Sequence, residues 1–360
     1  MSRFMSRRHL GLEAYVPGEQ PRNRAYVKLN TNESPFPPSE GVTKAVQQEA
    51  EKLRLYSDPE CRDLVDAVAE FYGIDAGQVL MTNGSDEALE YVFQAFGDKF
   101  NTFAFPDITY GFYPVFAQLY SIPFEEIPLQ RDFTIATEDY RDIGKNIVIA
   151  NPNAHTGIAL SLNQIETIIS TNREHVVVID EAYVDFGGES AVPLIKKYDN
   201  LLVIRTFSKS YSLAGARLGI CMGNKSIIRD LNTIKYSKNP YNVNRMTMAA
   251  GLGAIEEVDY YEEKCKIIAK NRDGLKVRLR AKGFYVLDSS ANFLLIAHES
   301  ISGQRMFEAL KEKGFLVRHL DIARLDNYNR VTIGTESQMN RLVEAIEEVI
   351  EEESKQGGVL

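Results

Sequence analysis

The stretches HVVVIDEAYVDF (residues 175–186) and LLVIRTFSKSYSLAGARLG (residues 201–219) are two apolar runs that each end in polar side chains. Asp180 follows four apolar residues in the first stretch, and Lys209 lies just past LLVIRT in the second. Short β-branched runs of this kind predict buried strands of a parallel sheet. Because parallel strands end at one edge of their sheet, where such sheets bind ligands, we expect Asp180 and Lys209 to lie near each other there.

The same alternation of strand-like and amphipathic segments extends from about Val79 to Met222. The amphipathic segments include SDEALEYVFQAF, TYGFYPVFAQLY and SLNQIETIIS, and the strand-like runs are VLMTNG, NTFAFPD, NIVIAN, HVVVID, LLVIRT and LGICMG. This pattern predicts an α/β protein with a largely parallel sheet that is covered by helices on both faces.

The segments on either side of this sheet differ from it in composition. KLNTNESPFPPSE carries three prolines within residues 35–38, so it predicts an extended arm or linker. Apolar residues at helical spacing predict a helix over residues 260–282, and FYVLDSSANFLLIAH, GFLVRHL and NRVTIGT predict strands of a smaller α+β unit. We therefore divide the chain into an N-terminal arm and linker (residues 1–40), a large domain (41–258) and a small C-terminal domain (259–360).

Composition and charge narrow the class of partner and compartment. The 360 residues carry 41 basic and 50 acidic side chains, a net charge of −9, and the basic residues are spread along the chain, which argues against nucleic acid as a partner. The N-terminus lacks the apolar core of a signal peptide, and no run approaches the ~20 apolar residues of a membrane span. Three widely separated cysteines, Cys61, Cys221 and Cys265, build neither a local disulfide framework nor a CxxC metal site. We expect a cytoplasmic protein with no membrane partner and no metal.

The polar residues at the strand ends suggest specific chemistry. A carboxylate after an apolar run, as at Asp180, is costly unless a cation meets it, although a capping or turn aspartate is an equal alternative. Lys209 lies between Ser208 and Ser210 with Arg217 eight residues on, and an arginine binds phosphate and disfavours protonation of a nearby amine. A partly neutral lysine traps carbonyl groups, whereas a lone lysine after a strand is usually just solvated.

A third strand end adds an anion site. In TNGSDEALEYVFQAF a glycine turn precedes Ser85 and Asp86 at the start of a helix, and helix N-termini bind phosphate, although G-S-D-E is also an ordinary N-cap. Tyr110 in PDITYGFY can stack on a flat ring. A carboxylate for a ring nitrogen, a lysine for an aldehyde and a phosphate cradle are together what pyridoxal phosphate requires.

These residues match a known family. From Tyr15 to Thr335 the chain resembles the fold type I pyridoxal phosphate enzymes, with a mostly parallel seven-stranded sheet, and within them the histidinol-phosphate aminotransferases. The matching runs are AYVPGE, KLNTNESPFPP, LYSDPE, TNGSDEAL, NPNxxTG, IDEAYVDF, RTFSKSYSLAGARLG, ANF, VRHL and NRVTIGT. The lysine, arginine and aspartate are specific for the superfamily, whereas AYVPGE with KLNTNESP points to the branch.

The resemblance implies roles for individual residues. Lys209 would be the Schiff-base lysine and proton shuttle, Asp180 the partner of the pyridinium nitrogen, and Tyr183 the hydrogen-bond donor to the ring hydroxyl oxygen. The cofactor would also be held by Gly84, Ser85, Asp86, Tyr110, Asn153, Thr206, Ser208, Arg217 and, from a neighbouring subunit, Tyr56. The substrate would be held by Asn32, Arg318, Arg330 and, from across the dimer, Tyr15. A homodimer with shared active sites follows from these assignments.

The implied reaction is transamination of L-histidinol phosphate with 2-oxoglutarate, which gives imidazole acetol phosphate and glutamate in histidine biosynthesis. An aromatic amino acid aminotransferase and a threonine-phosphate decarboxylase remain as alternatives with the same cofactor. A nicotinamide oxidoreductase is disfavoured, because GLGAIEE has Glu256 where the third glycine of a GxGxxG motif belongs. A noncatalytic sensor would need a separate DNA-binding module, for which the chain has no spare length.

One motif departs from the family. The usual NPNNPTG is NPNAHTG here, so Ala154 replaces the asparagine that touches the ring hydroxyl oxygen and His155 replaces a proline. We expect Asn153 or an ordered water to take over that contact. We expect a trans Ala154–His155 bond, because a cis bond without proline costs about 2.5 to 4 kcal/mol. A solvent-facing loop histidine is a better interpretation of His155 than an extra acid or base.

Overall fold

The computed structural model describes residues 2–21 and 24–357, and this part of the chain alternates strands and helices. The strands are β1 (Val27–Lys28), β2 (Val79–Thr82), β3 (Phe103–Pro106), β4 (Phe124–Ile127), β5 (Asn146–Ala150), β6 (Val177–Asp180), β7 (Leu201–Thr206), β8 (Gly219–Gly223), β9 (Phe284–Val286), β10 (Phe293–His298), β11 (Phe315–Leu316), β12 (Arg318–His319) and β13 (Asn329–Thr332). The helices are α1 (Glu40–Ala50), α2 (Arg62–Tyr72), α3 (Gly84–Phe96), α4 (Phe112–Tyr120), α5 (Leu162–Thr171), α6 (Lys225–Lys238), α7 (Arg245–Glu256), α8 (Val258–Arg280), α9 (Gly303–Glu312) and α10 (Glu336–Gly357).

A seven-stranded sheet forms the centre of the large domain, in the order β2-β8-β7-β6-β5-β3-β4. All pairs from β7 to β4 are parallel, and β8 alone runs antiparallel to both of its neighbours. This confirms the predicted α/β class with a mostly parallel sheet. The strand pattern missed β4, because its sequence FEEI has two exposed glutamates at the sheet edge and lacks the apolar run of a central strand.

Both faces of this sheet are buried. Val178 of β6 belongs to one apolar cluster with residues of α3, whereas its neighbours Val177 and Ile179 belong to a second cluster with residues of α5. Successive strand residues point to opposite faces, so each face of β6 packs against its own helices. This double burial explains why the central strands read as continuous apolar runs.

A second, four-stranded sheet has the order β12-β13-β10-β9, and its pairs are antiparallel. The predicted helix at residues 260–282 is confirmed as α8, and its spaced residues Ile268, Leu275 and Leu279 are buried. The proline-rich segment contains no helix before Glu40, and β1 pairs in parallel with β11. β1 and β11 form a separate two-stranded sheet, which joins the arm to the C-terminal part of the chain. The domain boundaries at residues 40/41 and 258/259 stay predictions, and residues 358–360 lie outside the described part.

The three cysteines are buried and unpaired in this fold. Among the residues that the structure describes, no helix has the length and apolarity that crossing a membrane requires.

Candidate active site

The carboxyl ends of β6 and β7 lie at one edge of the sheet, as the sequence predicts. Asp180 ends β6, and β6 and β7 pair in parallel with Asp180 opposite Ile204, so the segment after β7 begins at the same edge. A cavity of about 260 Å³ lies there. Nine predicted residues line it: Ser85, Asp86, Tyr110, Asp180, Tyr183, Thr206, Ser208, Lys209 and Arg217. The other lining residues are Thr31, Glu33, Ala150, Ala154, Ala182 and Ala214.

Asp180 is 4% exposed and accepts two hydrogen bonds. The Tyr113 hydroxyl donates to Oδ2 at 2.9 Å, and the Ala182 N–H donates to Oδ1 at 3.2 Å. Burial raises the pKa of Asp180 to about 6, and these two hydrogen bonds oppose the rise. A buried carboxylate with this pKa favours a cationic partner, such as a protonated ring nitrogen.

Tyr113 was missed by the sequence analysis, although it lies only three residues after Tyr110 in the first turn of α4.

We expect Tyr113→Phe to lower kcat about 10-fold and the free energy of unfolding by about 1 to 3 kcal/mol, because Oδ2 of the buried Asp180 loses its hydrogen-bond donor. Steady-state kinetics and urea unfolding measure both. Tyr140→Phe is the matched control, since the buried Tyr140 hydroxyl has no hydrogen-bond partner among the described residues. Equal results for the two variants would contradict the role of Tyr113.

The amine of Lys209 lies within hydrogen-bonding distance of the N-terminal arm. Its Nζ donates to the Thr31 carbonyl oxygen at 3.0 Å and lies 5.9 Å from the centre of the Tyr183 ring. The pKa of Lys209 is lowered to about 8, and burial is the largest cause. The nearby guanidinium groups of Arg330 and Arg217 also lower it, and Arg330 has the larger effect. The neutral fraction that a nucleophilic lysine needs is therefore larger than for an exposed lysine.

The candidate phosphate cradle is built where the first turn of α3 meets the start of β8. A Cβ at Gly219 would lie 2.5 Å from the carbonyl carbon of Gly84, so only glycine permits this approach. The buried Ser208 hydroxyl has no hydrogen-bond partner among the described residues, and Arg217 Nη2 donates to Asp86 Oδ2 at 3.0 Å. A helix N-terminus, a free hydroxyl and an arginine fit the phosphate of pyridoxal phosphate.

Two tyrosines on the cavity wall are held by specific partners. The Tyr110 hydroxyl donates to Asp86 Oδ1 at 2.7 Å. Asn32 Nδ2 donates to Tyr183 Oη at 3.0 Å, and the Thr332 hydroxyl donates to Asn32 Oδ1 at 3.0 Å. Tyr183 therefore keeps its own proton for a further acceptor, which suits a donor to a ring hydroxyl oxygen. Asn32 does not line the cavity, and its amide orients Tyr183.

The NPNAHTG loop differs in part from expectation. The cis bond is Asn151–Pro152, and the Ala154–His155 bond is trans, as predicted. Asn153 donates from Nδ2 to the Ile108 carbonyl oxygen at 2.8 Å and does not line the cavity, so its contacts give no support to the expected replacement of the family asparagine. The expectation for His155 was wrong: its side chain is buried, because it packs against Arg330, whose Nη1 lies 3.3 Å from Nδ1.

The two predicted substrate arginines lie outside the cavity lining and have different partners. Arg330 Nη2 donates to the Asn30 carbonyl oxygen at 3.2 Å, and its buried Nε has no hydrogen-bond partner in the described ranges. Arg318 donates to the carbonyl oxygens of Val16 and Pro17 at 3.0 and 3.2 Å. Arg330 thus keeps one unpaired donor within the described residues, whereas Arg318 holds the N-terminal arm.

Tyr15 and Tyr56 occupy different surroundings. Tyr15 stacks on Phe112 of its own chain at 4.2 Å between ring centres, and its ring centre lies 6.2 Å from that of Tyr110. Its contribution to a partner's site stays a prediction. Tyr56 is 81% exposed, stacks on Tyr241 at 4.6 Å and does not line the cavity of its own chain. Gly84 is the first residue of α3 at the cradle, and it does not line the cavity either.

The fold and this site together define a fold type I pyridoxal phosphate enzyme. The chain belongs to the aminotransferase family, because the family model "Aminotransferase class I and II" matches residues 24–346. Histidinol-phosphate aminotransferases are among the similar proteins. The one from Brachyspira hyodysenteriae is 46% identical over 97% of this chain and 99% of its own length, and the one from Clostridium acetobutylicum is 44% identical over 97% and 100%. A solved histidinol-phosphate aminotransferase from Sinorhizobium meliloti, in complex with pyridoxal-5'-phosphate, has the same fold, with a TM-score of 0.83, 23% identity and coverage of 91% and 92%.

Proposed function

We propose that this enzyme transfers the amino group of L-histidinol phosphate to 2-oxoglutarate with pyridoxal phosphate as cofactor. The observation that carries the proposal is that Lys209 and Asp180 line one cavity beside the cradle at α3, in a chain 46% identical to a histidinol-phosphate aminotransferase over nearly its whole length. The products are imidazole acetol phosphate and glutamate, and the reaction belongs to histidine biosynthesis. The three free cysteines support a cytoplasmic location, where thiols stay reduced.

Each residue of the site has a task in this reaction. When bound, pyridoxal phosphate supplies an aldehyde that exchanges with the substrate amine and a ring that accepts electrons when the substrate Cα–H bond breaks. Asp180 would hold the proton of the ring nitrogen, and Tyr183 would donate to the ring hydroxyl oxygen. Ser85, Ser208 and Arg217 would hold the phosphate. Lys209, with its lowered pKa, would remove the substrate Cα proton and deliver it to the carbon that carried the cofactor's aldehyde oxygen.

Arg330 is the residue that we assign to the anionic end of the substrate. Its hydrogen-bond partners are neutral, and its Nε is free within the described residues, so its positive charge remains available. A planar guanidinium binds a phosphate ester and a carboxylate with the same geometry. One arginine can therefore serve histidinol phosphate in the first half of the reaction and 2-oxoglutarate in the second.

A comparison of amino donors tests the proposal. Glutamate formation from 2-oxoglutarate is measured with histidinol phosphate, phenylalanine or threonine phosphate as donor. We expect kcat/KM for histidinol phosphate to exceed that for the other two at least about 100-fold, because a site that binds both an imidazole and a phosphate loses contacts with either alternative. A higher value for phenylalanine, or release of carbon dioxide from threonine phosphate, would contradict it.

We also propose a homodimer in which Tyr56 completes the partner's phosphate site. The support is that Leu53, Leu55 and Tyr56 are exposed apolar side chains close together in sequence, and that Tyr56 does not line the cavity of its own chain. Mixing inactive Lys209→Ala and Tyr56→Ala proteins after denaturation and refolding should restore about a quarter of the wild-type activity, because half of the dimers would carry one intact site. No recovery, or a monomer in sedimentation, would contradict the shared site.

A further inference from the structure

His155 stands where the family's usual NPNNPTG motif has a proline, whose side chain forms no hydrogen bond. It lies in the loop after β5, is 9% exposed, and its Nδ1 is 3.3 Å from Arg330 Nη1. Arginine has donors and no acceptor, so the imidazole must accept this hydrogen bond at Nδ1. His155 is then the neutral tautomer with its proton on Nε2.

The neutral state of His155 matters because the other groups that contact Arg330 are neutral too, so the guanidinium keeps its positive charge. Its Nη1 also approaches the Ala154 carbonyl oxygen at 3.4 Å, its Nη2 donates to the Asn30 carbonyl oxygen, and its guanidinium carbon lies 5.2 Å from the centre of the Phe293 ring. No carboxylate forms an ion pair with Arg330 in residues 2–21 and 24–357. A carboxylate at position 155 would neutralise the guanidinium, whereas an imidazole orients it and leaves its charge intact.

We propose that His155 is a positioning residue, which as a neutral acceptor holds the Arg330 guanidinium in place for the anionic group of the substrate. This inference rests on the proposed function, where Arg330 receives that group. The charged groups that act on His155 are Arg330 and Arg318, and both oppose its protonation. Together with burial, which is the largest cause, they lower the pKa of His155 to about 3, so it stays neutral at any pH at which the enzyme would work.

Three variants test the proposal in the holoenzyme. His155→Leu removes the acceptor and should raise KM for histidinol phosphate and for 2-oxoglutarate about 10-fold with kcat within about 2-fold, the size expected for one hydrogen bond to a charged donor. His155→Asn keeps an acceptor near the place of Nδ1 and should stay within about 3-fold of wild type. His298→Leu is the control, because His298 is also 9% exposed but bonds Lys282 and Ser300 in the small domain. It should lower the melting temperature and leave KM unchanged.

A His155→Leu protein that unfolds more easily but keeps both KM values would overturn the proposal, because it would behave like the control. Nitrogen-15 NMR of the wild-type protein, with and without cofactor, gives a second readout that does not depend on turnover. We expect the His155 signal, assigned by its loss in His155→Asn, to show a proton on Nε2 and no titration between about pH 5.5 and 8.5. A proton on Nδ1 or a titration near pH 6.5 would overturn the proposal. If histidinol phosphate is a poor donor, the KM for 2-oxoglutarate and the NMR result still decide the role of His155.

Discussion

Replacing Lys209 with alanine lowers the transamination rate at least about 10³-fold in our expectation, because the variant loses both the amine that binds the aldehyde and the base that moves the Cα proton. The remaining cradle at α3 should still bind pyridoxal phosphate without a covalent bond. Single-turnover kinetics with histidinol phosphate measure the first effect. Borohydride treatment followed by acid denaturation measures the second, since the cofactor should leave the variant but stay attached to the wild-type chain.

Lys196→Ala is the control for this experiment, because Lys196 is an exposed lysine of the same domain and does not line the cavity. It should match the wild type in rate and in cofactor attachment. A Lys209→Ala enzyme that keeps a near wild-type rate would refute the assignment of the site, as would borohydride fixing the cofactor to another lysine.

The second large effect is expected for Asp180→Asn, which should lower kcat about 10² to 10⁴-fold. An amide carries no negative charge to hold the proton of the ring nitrogen, and that proton makes the ring an electron acceptor. Asp180→Glu keeps the charge and should retain more activity than Asp180→Asn. Asp230→Asn, an exposed change on α6, is the neutral control. Wild-type kcat in Asp180→Asn would contradict the pairing with the ring.

Asp180→Asn also tests the raised pKa of the buried Asp180 carboxyl group, in protein without cofactor. Its pKa is raised from 3.8 to about 6, so between those values the native protein keeps a proton that the unfolded chain has lost. Native stability therefore falls as pH rises from about 4 to 6, by about 3 kcal/mol for this group, and stays lower above pH 6. Urea unfolding of cofactor-free protein should show a shallower decline over this range in Asp180→Asn. Identical declines in both proteins would contradict the raised pKa.

The sequence predicted the residues whose positions follow from strands alone. Asp180 and Lys209 each follow a buried run, and parallel pairing of β6 and β7 brings both to one cavity. Ser85 and Asp86 follow from the same argument, because β2 ends at that edge and α3 begins there. The edge strand β4 was missed, since its FEEI sequence lacks the apolar signal on which the other strands depend.

The contacts that orient these residues required the tertiary structure. Asn32 and Tyr183 are 151 residues apart, and Arg330 and His155 are 175 apart. No local pattern encodes such pairs, because they form only when the N-terminal arm and the small domain pack against the large one. The same packing buried a histidine that a loop position predicts to be exposed, and it placed Tyr15 beside its own site.

Hydrophobic periodicity is local and parallel strands share an edge, so residue patterns predicted the central strands but not the edge strand β4. They also predicted that Asp180 and Lys209 lie at one edge of the sheet. The folded protein was needed to show which donors hold Asp180, which amide orients Tyr183 and which neutral group contacts Arg330. These contacts join side chains that are far apart in sequence, and close packing between the domains sets the distances between them.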